Sequence, residues 1–305
     1  MSEAIPFNKV MDATPGVATE VVPGVRRILA NNPGPMTFTG TNTYLVGFRE
    51  VAVIDPGHED EGHRQAILAA AAEGGGRVTH ILLTHTHRDH CAGLDGLKAA
   101  SGATTYGFGP ATLRRAAAAR HAEARSFLDT DFRPDVTLAD GDTVDGGAWR
   151  LSALHTPGHA PDHLCFALEG APLLFSGDHV MGWNTSVIAP PEGHMGDYMT
   201  SLERLLARRD DLFLSGHGEI IKEPQRLVKA FIVHRQWREA AILECVRDGV
   251  ETVNGVRSRI YGNVDASVAS AAALSALAHL ESLVERRLVS CQGSPTLQSR
   301  FHPVR

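Results

Sequence analysis

The stretch from His85 to His90 constrains the fold more than any other part of the sequence, because it places four metal-binding side chains within six residues. These are His85, His87, Asp89 and His90. The apolar run Val78–Leu83 before them predicts a buried strand, and Cys91–Lys98 after them predicts a short helix. The four side chains therefore lie on a strand-to-helix turn at the edge of a sheet. Neutral imidazoles and a carboxylate suit zinc, and equally manganese or iron(II), so the sequence predicts a metal site here.

Three later motifs place further ligand-type residues where a predicted strand ends and a glycine lets the backbone turn. They are His159 after the predicted strand 149–155, Asp178 after 172–175 and His217 after 212–214. Each motif alone is weak evidence for a ligand, but their order after the first cluster makes them reinforce one another. An aspartate such as Asp178 can bridge two metal ions with its two oxygens.

Asp55 ends a predicted buried strand, where an unpaired carboxylate would be costly. One partner for it is the outer N–H of a ligand histidine, which would fix the tautomer of that histidine. The alternative is an aspartate that caps the turn at Pro56-Gly57, and both interpretations stay open.

Strands and helices alternate up to residue 221. Hairpin strands are predicted over 42–47 and 51–55, further strands over 104–106 and 164–168, and helices over 59–73, 110–127 and 197–209. The tail is predicted to contain a long helix over 225–248, a turn and short segment over 256–261, and a helix over 267–286. After Ser290 the chain is expected to fray.

Composition limits the function classes. At 305 residues the chain suits one large or two modest domains. We find no apolar run that approaches the roughly 20 residues of a membrane span, and we expect no secretory signal. Four scattered cysteines fit free thiols in a reducing cytoplasm. Residues 1–221 carry a formal net charge of −10, which argues against broad attraction of nucleic acid. Residues 222–305 carry a net charge of +4, and this basic tail is either a solvated face or a surface that docks a polyanion.

Taken together, the motifs HxHxDH over 85–90, PGH at His159, SGD at Asp178 and GHG at His217 resemble the metallo-β-lactamase superfamily. The resemblance implies an α/β (α+β) fold, a four-layer αβ/βα sandwich of two mixed sheets with helices outside and metals at the shared edge. It also implies the roles of the ligands. His85, His87 and His159 would hold the first metal, Asp89, His90 and His217 the second, with Asp178 bridging and Asp55 supporting a ligand.

Within that superfamily the chain looks most like the beta-lactamase-like protein 2 subgroup. The stretches that carry this likeness are 40–47, 87–90, 156–163, 198–202 and 234–239. The subgroup implies a catalytic domain over 1–222 and a small helical winged-helix-like domain over 223–305. It includes a mitochondrial single-strand-selective endoribonuclease, and its bacterial members are mostly called metal-dependent hydrolases.

The expected function is that of a dinuclear metal-dependent hydrolase. Two divalent ions about 3.5–4 Å apart, with zinc favoured and manganese or iron open, would share a hydroxide as nucleophile. Asp89 or a metal-bound water would protonate the leaving group. Single-stranded RNA is the substrate that the resemblance suggests, and a thioester, ester or lactone, as in glyoxalase II-like or lactonase-like enzymes, is the alternative.

Other roles remain open for the tail. A metal-containing DNA-binding regulator is the remote alternative, and the bridging carboxylate argues against it. DNA binding is the least expected role of the tail, whereas packing over the active-site mouth or formation of a homodimer is expected more.

The loop residues between the ligands form the predicted substrate pocket. His163 and His179 are candidates for substrate contact or proton transfer, with a purely structural role as the alternative. Trp183 and Tyr198, together with Asn184, His194 and Met195, form the predicted rim. The remaining histidines are interpreted as ordinary surface or core residues: His58, His63, His80, His121, His234, His279 and His302.

Overall fold

Two mixed β-sheets face each other in the computed structural model, which describes residues 5–110, 128–262 and 265–304. In this described part the first sheet has seven strands in chain order: β1 (Ala18–Val22), β2 (Val25–Leu29), β3 (Asn42–Val46), β4 (Glu50–Ile54), β5 (Arg77–Leu82), β6 (Thr104–Gly107) and β7 (Val136–Thr137). The second sheet has the order β12-β11-β10-β9-β8: β8 (Thr143–Asp145), β9 (Arg150–His155), β10 (Leu164–Leu168), β11 (Leu173–Gly177) and β12 (Leu212–Ser215). The helix predicted over 110–127, and His121 within it, lie outside the described residues.

The first sheet begins as an antiparallel meander and continues as a parallel block. Strands β1 to β4 pair antiparallel, and β4 to β7 pair in parallel. The Pro23-Gly24 turn joins β1 to β2, and Gly24 has a φ of +81°, which glycine adopts without steric cost. All five residues of β2 are buried, because the strand is covered on both faces.

Apolar side chains from both sheets fill the space between them. They include Tyr44, Ile54, Leu151, Phe166, Phe175 and Leu214. Helices α1 (Glu61–Ala72) and α3 (Leu94–Ser101) cover the outer face of the first sheet, and α4 (Met195–Leu206) covers that of the second. This order of helix, sheet, sheet and helix confirms the four-layer αβ/βα sandwich.

The strands that precede the candidate ligands all end at one edge of the sandwich. Strand β5 ends just before the four-residue helix α2 (Arg88–Cys91), which contains Asp89 and His90. Strands β11 and β12 are parallel neighbours, and β9 runs in the same direction because it is separated from β11 by the antiparallel β10. Segments that are far apart in the sequence therefore deliver their side chains to one place.

The C-terminal part contains three helices and a two-stranded sheet within the described residues. These are α5 (Pro224–Arg247), α6 (Val253–Tyr261), α7 (Ala266–Glu285), β13 (Val289–Cys291) and β14 (Phe301–Pro303). The turn and short segment predicted over 256–261 are wrong, because these residues belong to α6. The side chain of Thr252 caps this helix by accepting a hydrogen bond from Gly255 N–H, and Val253 and Val256 are buried one turn apart.

The fraying predicted after Ser290 is also wrong. Strands β13 and β14 pair antiparallel, and the Phe301 ring is fully buried in the C-terminal core. The backbone N–H of Phe301 donates to Glu251 O at 2.8 Å and fastens the strand to the turn before α6. The polar loop between β13 and β14 hides this pairing, since each strand is only three residues long.

Helix α5 belongs to two hydrophobic cores at once. Its first half packs Leu227 and Phe231 against α4, whereas its second half packs Ile242 and Val246 into the C-terminal core. The predicted domain boundary at residues 222 and 223 falls directly before this helix and stays a prediction. The two parts of the chain are thus joined by one continuous helix rather than by a flexible linker.

Among the described residues, one helical window is long and apolar enough to cross a membrane. It covers Val268–Glu285 in α7, with a mean hydropathy of 1.2, and half of it is buried inside the structure. Leu280 and Leu283 of this window are fully buried in the C-terminal core. Helix α7 therefore has the apolar character of a core helix.

We predict that Phe301→Ala lowers the free energy of unfolding by about 3–5 kcal/mol, because it leaves a cavity in the C-terminal core. Val304→Ala, at a half-exposed position three residues later, is the matched control and should change this energy by less than about 0.5 kcal/mol. Urea denaturation followed by circular dichroism measures both values. Equal, small effects of the two variants would contradict the packing of β14.

Candidate metal centre

Three histidines from two loops converge on one point at the shared edge. His87 Nδ1 lies 2.8 Å from His85 Nε2 and 3.0 Å from His159 Nε2. His85 and His87 follow β5, and His159 follows β9. Three ring nitrogens that approach one another so closely, without a carboxylate or carbonyl between them, are arranged to share a cation.

The outer nitrogens of these rings have their own acceptors, and this fixes the tautomers. His159 Nδ1–H donates to Val187 O at 2.7 Å. His85 Nδ1 lies 2.9 Å from Thr84 Oγ1, and this hydroxyl donates its own proton to Asp55 at 2.7 Å, so it accepts from the ring. With the outer nitrogen protonated, the inner nitrogen presents a lone pair to the common point, as a metal ligand requires.

A second group combines two histidines with Asp89. Asp89 Oδ2 lies 3.2 Å from His217 Nε2 and 3.4 Å from His90 Nε2. The outer nitrogens of the two rings again point at acceptors, since His217 Nδ1 donates to Gly40 O at 3.1 Å and His90 Nδ1 to Asp55 Oδ2 at 2.9 Å. This group offers two imidazole nitrogens and one carboxylate to a second cation.

Asp178 stands between the two groups. Its Oδ2 lies 3.7 Å from His159 Nε2 on one side and 3.4 Å from His217 Nε2 on the other. Its Oδ1 lies 3.5 Å from His90 Nε2. A carboxylate within reach of both groups has the position of a bridging ligand.

The electrostatics of the two groups differ. Burial and neighbouring histidines lower the pKa of His85 well below its usual range and that of His159 to about 4. Burial would also lower the pKa of His217, but the Asp178 and Asp89 carboxylates outweigh it and raise that pKa to about 9. His85 and His159 of the first group are therefore neutral imidazoles, whereas the second group couples imidazole to carboxylate charge.

Burial would raise the pKa of both carboxyl groups, but the adjacent histidines outweigh it. His217 and His90 hold the pKa of Asp178 well below its usual range, and they also lower the pKa of Asp89. Both carboxylates are therefore ionised at neutral pH, which is the state in which they bind metal.

The described residues fit divalent metal ions. His90 Nε2 and Asp178 Oδ1 are buried and have no hydrogen-bond partner, although an ionised carboxylate oxygen in the interior requires one. The ligand atoms form three overlapping groups in which all atoms lie within 4.8 Å of one another: His85, His87 and His159; His85, His90 and Asp178; and Asp89, His90 and His217. Nitrogen and oxygen donors of this kind suit zinc, manganese or iron.

Two buried carboxylates hold the ligand loop from opposite sides. Asp55 accepts from Thr84 N–H at 2.8 Å and from Thr84 Oγ1 at 2.7 Å, besides its bond from His90. Asp162 accepts from Thr86 N–H at 3.0 Å and from Thr86 Oγ1 at 2.8 Å. Sequence reasoning left the role of Asp55 open and assigned none to Asp162, although Asp162 stands in the stretch that carries the subgroup likeness.

His163 and His179, the candidates for substrate contact or proton transfer, are both fully buried. Thr156 Oγ1 lies 2.9 Å from His163 Nδ1, and His163 Nε2 accepts from the backbone N–H of Asp178 at 3.2 Å. His163 thus supports the turn that carries the bridging carboxylate. Burial lowers the pKa of His179 to about 3, and the ring packs on Tyr198. These contacts favour the structural role that was the alternative interpretation of both histidines.

The predicted rim is only partly at the surface. Tyr198 is fully buried in α4 and donates its hydroxyl to His179 O at 3.1 Å. Trp183 is 8% exposed, its ring stacks on that of Phe38 with the centroids 5.0 Å apart, and Lys9 Nζ lies over the ring, so little of its face is free for a substrate. The amphipathic period of α4 explains the error, since it turns Tyr198 towards the second sheet.

The other rim residues differ in exposure, and one acidic residue joins them. Met195 is buried, Asn184 is exposed, and His194 caps α4 and contacts Glu285 at 3.0 Å. Glu192 Oε2 lies 3.4 Å from His87 Nε2 at the mouth. No motif marks Glu192 in the sequence, because it follows two prolines in a loop without a strand end beside it.

Comparison with protein families gives two matches. The family model of the Metallo-beta-lactamase superfamily matches residues 36–217, which include all seven candidate ligands. The family model of the Beta-lactamase associated winged helix domain matches residues 252–296. The second match covers α6, α7 and β13.

Two curated relatives are similar over most of the chain. The lactamase-like protein adaB of Aspergillus niger is 30% identical over 297 residues, covering 92% of this chain and 87% of that protein. The atrochrysone carboxyl ACP thioesterase of Aspergillus fumigatus is 30% identical over 263 residues, covering 81% of this chain and 76% of that protein.

A solved structure shows the same fold. The beta-lactamase domain protein from Burkholderia ambifaria superposes with a TM-score of 0.80 at 21% identity, covering 96% of this chain and 95% of that one. The likeness extends through the C-terminal helices.

We predict that Asp55→Asn lowers metal affinity about 10–100-fold. The amide oxygen of asparagine can still accept the hydrogen bond from Thr84 N–H, but the amide nitrogen is then a donor that faces the N–H donor of His90. Asp162→Asn is the matched control. One oxygen of Asp162 accepts both bonds from Thr86 and the other has no partner, so an amide keeps both bonds. Its metal affinity should stay close to that of the wild type. Competition with a chromophoric chelator measures these affinities, and equal losses in both variants would contradict the role of Asp55.

Proposed function

The chain belongs to the metallo-β-lactamase superfamily of hydrolases, and from this premise we propose that it hydrolyses acyl thioesters at a site for two divalent metal ions. The observation that carries the two-metal site is the position of Asp178, whose carboxylate oxygens reach His159 in one ligand group and His90 and His217 in the other. The thioester class is supported by the character of the leaving group, by the charge around the site and by the named relatives.

When bound, the two ions would supply a nucleophile formed from water near neutral pH and stabilise the charge that develops on the carbonyl oxygen. The protein residues provide the positions. His85, His87 and His159 would hold one ion, and Asp89, His90 and His217 the other. Asp178 would fix the separation of the two ions, and the acceptors behind His85, His159, His90 and His217 orient each of these rings with its inner nitrogen towards the ions.

The leaving group favours a thioester. As a ligand of a divalent ion, Asp89 would be ionised and therefore a poor proton donor. A thiol has a pKa of about 8.5 and departs as a thiolate with little assistance. The ribose alkoxide released from RNA is far more basic and gains much more from a general acid. A site whose nearest carboxyl is ionised therefore suits thioesters better than phosphodiesters.

The charge around the site points the same way. Asp89 is about one-third exposed, and Glu192 stands beside His87 at the mouth. Residues 1–221 as a whole carry a balance of −10. A strand of RNA would have to bring its phosphates past these carboxylates, whereas a neutral acyl thioester avoids that repulsion.

The relatives add an independent reason. The Aspergillus fumigatus relative at 30% identity acts, by its name, on an acyl group carried by an acyl carrier protein. A relative from Claviceps purpurea with the same name is 28% identical over 256 residues. We therefore infer that the acyl group is attached to a thiol in the substrate of this chain as well, and we leave the acyl group itself unassigned.

We predict that metal-loaded protein releases thiol from an S-acyl-N-acetylcysteamine thioester and that Asp178→Asn lowers kcat on the order of 10²-fold or more, because an amide cannot join two cations through two oxygens. A thiol-reactive dye follows the reaction. Asp211→Asn, at an exposed position outside the site, is the control and should retain full activity.

The same preparations are tested on labelled single-stranded RNA and on a lactone. Cleavage of RNA by the wild type, lost in Asp178→Asn and without any thioester cleavage, would replace the proposal with the ribonuclease that the subgroup likeness suggests. Lactone cleavage alone would replace it with a lactonase. Thioester cleavage that survives in Asp178→Asn would place the activity outside this site.

A further inference from the structure

The segment Ser186–Val187 supports two of the candidate ligands, His159 and Asp178. Ser186 Oγ lies 2.6 Å from Asp178 O and 2.8 Å from His179 O, so the hydroxyl holds the backbone of the turn that carries the bridging carboxylate. The next residue, Val187, accepts the outer N–H of His159 at 2.7 Å. A shift of this segment would therefore move two candidate ligands together.

A residue from the C-terminal part of the chain holds this segment in place. Arg235 of α5 donates from Nη2 to Ser186 O, forty-nine residues earlier in the sequence. Its guanidinium also lies over the Tyr198 ring, 5.4 Å from the centroid, and Tyr198 in turn donates to His179 O. Arg235 thus reaches the turn of Asp178 by two routes.

The surroundings of Arg235 argue that its charge is not there for stability alone. The residue is 4% exposed, and no ion pair joins it to a carboxylate in the described part of the chain. His234 and Arg238, its neighbours on α5, share a hydrogen bond at 3.1 Å and add no negative charge. Burying a guanidinium is costly unless its bonds offset the loss of solvation, and an apolar residue would avoid that cost.

We propose that Arg235 is a positioning residue of the metal centre, which fixes His159 and Asp178 through the Ser186–Val187 segment. The C-terminal part of the chain thereby completes the site without contributing a ligand. The planar guanidinium suits this task, because it bonds a carbonyl and stacks on a ring at the same time, which lysine does not do. The proposal rests on the two-metal site and not on the choice of thioesters as substrates.

The test compares Arg235→Met with Arg238→Met. Arg238 lies one turn further along the same helix and contacts His234, Trp237 and Tyr261, but not the Ser186–Val187 segment. The probe is Co(II), and the readouts are its affinity, its stoichiometry and the visible absorption spectrum of the bound ion. We expect Arg235→Met to lower affinity about 10–100-fold and to alter the spectrum, as loss of support behind a ligand does, and Arg238→Met to leave both unchanged.

Ser186→Ala keeps the proposal testable if Arg235→Met does not fold. This variant removes only the hydroxyl and should weaken Co(II) binding in the same direction. Combined with Arg235→Lys, it should lower the Co(II) affinity by less than the two single changes together, because both act through one segment.

Folded Arg235→Met with wild-type affinity and spectrum would overturn the proposal, as would strictly additive effects of the two changes on the affinity. Failure of the wild type to bind Co(II) would instead overturn the metal centre itself, and loss of thioesterase activity alone would leave this proposal standing.

Discussion

The hydrogen bonds of Asp55 are the constraint on which the rest of the site depends. Asp55 has a φ of +55°, a left-handed conformation that costs a non-glycine residue free energy. That conformation turns the carboxylate back from the end of β4 towards Thr84 and His90, where it accepts three hydrogen bonds. Thr43 Oγ1 donates to the Asp55 carbonyl and accepts from His63, which fastens the strained residue from behind. The strain is therefore retained because it aligns two of the ligand-bearing segments.

Support for the ligands comes from parts of the chain that are remote from one another. Gly40 O orients His217, Val187 O orients His159, and Asp162 fixes the backbone between His85 and His87. Each acceptor belongs to a different loop, and the loops meet only because β5, β9, β11 and β12 end at one edge. The site is consequently a property of the whole sandwich, and its geometry is as rigid as the cores on which the loops rest.

The features that a local sequence pattern encodes could be predicted, whereas those that depend on tertiary contacts could not. His85 to His90 follow the end of β5, and Asp178 and His217 each follow a strand end and a glycine, so the sequence indicated that they would converge. The burial of Tyr198 was not, because it depends on which side of α4 meets the second sheet. Strand β14 was missed because a three-residue strand carries no periodicity and is defined by its partner, β13. Asp162 and Arg235 stand in stretches that carry the subgroup likeness but were assigned no role, because a sequence does not display the loop segments that they bond, Thr86 and Ser186.

The continuity of α5 explains why a small C-terminal domain would matter to a metal site that it does not touch. Leu227 and Phe231 anchor the first half of α5 on the catalytic core, and this fixes the rotation of the helix at Arg235. Ile242 and Val246 anchor the second half of the same helix in the C-terminal core. Because α5 is packed at both ends, the backbone of the residues in its middle has little freedom to move. Such a residue can hold a loop in place at low entropic cost, and Arg235 does so by bonding the carbonyl of Ser186, whose hydroxyl holds the turn of Asp178.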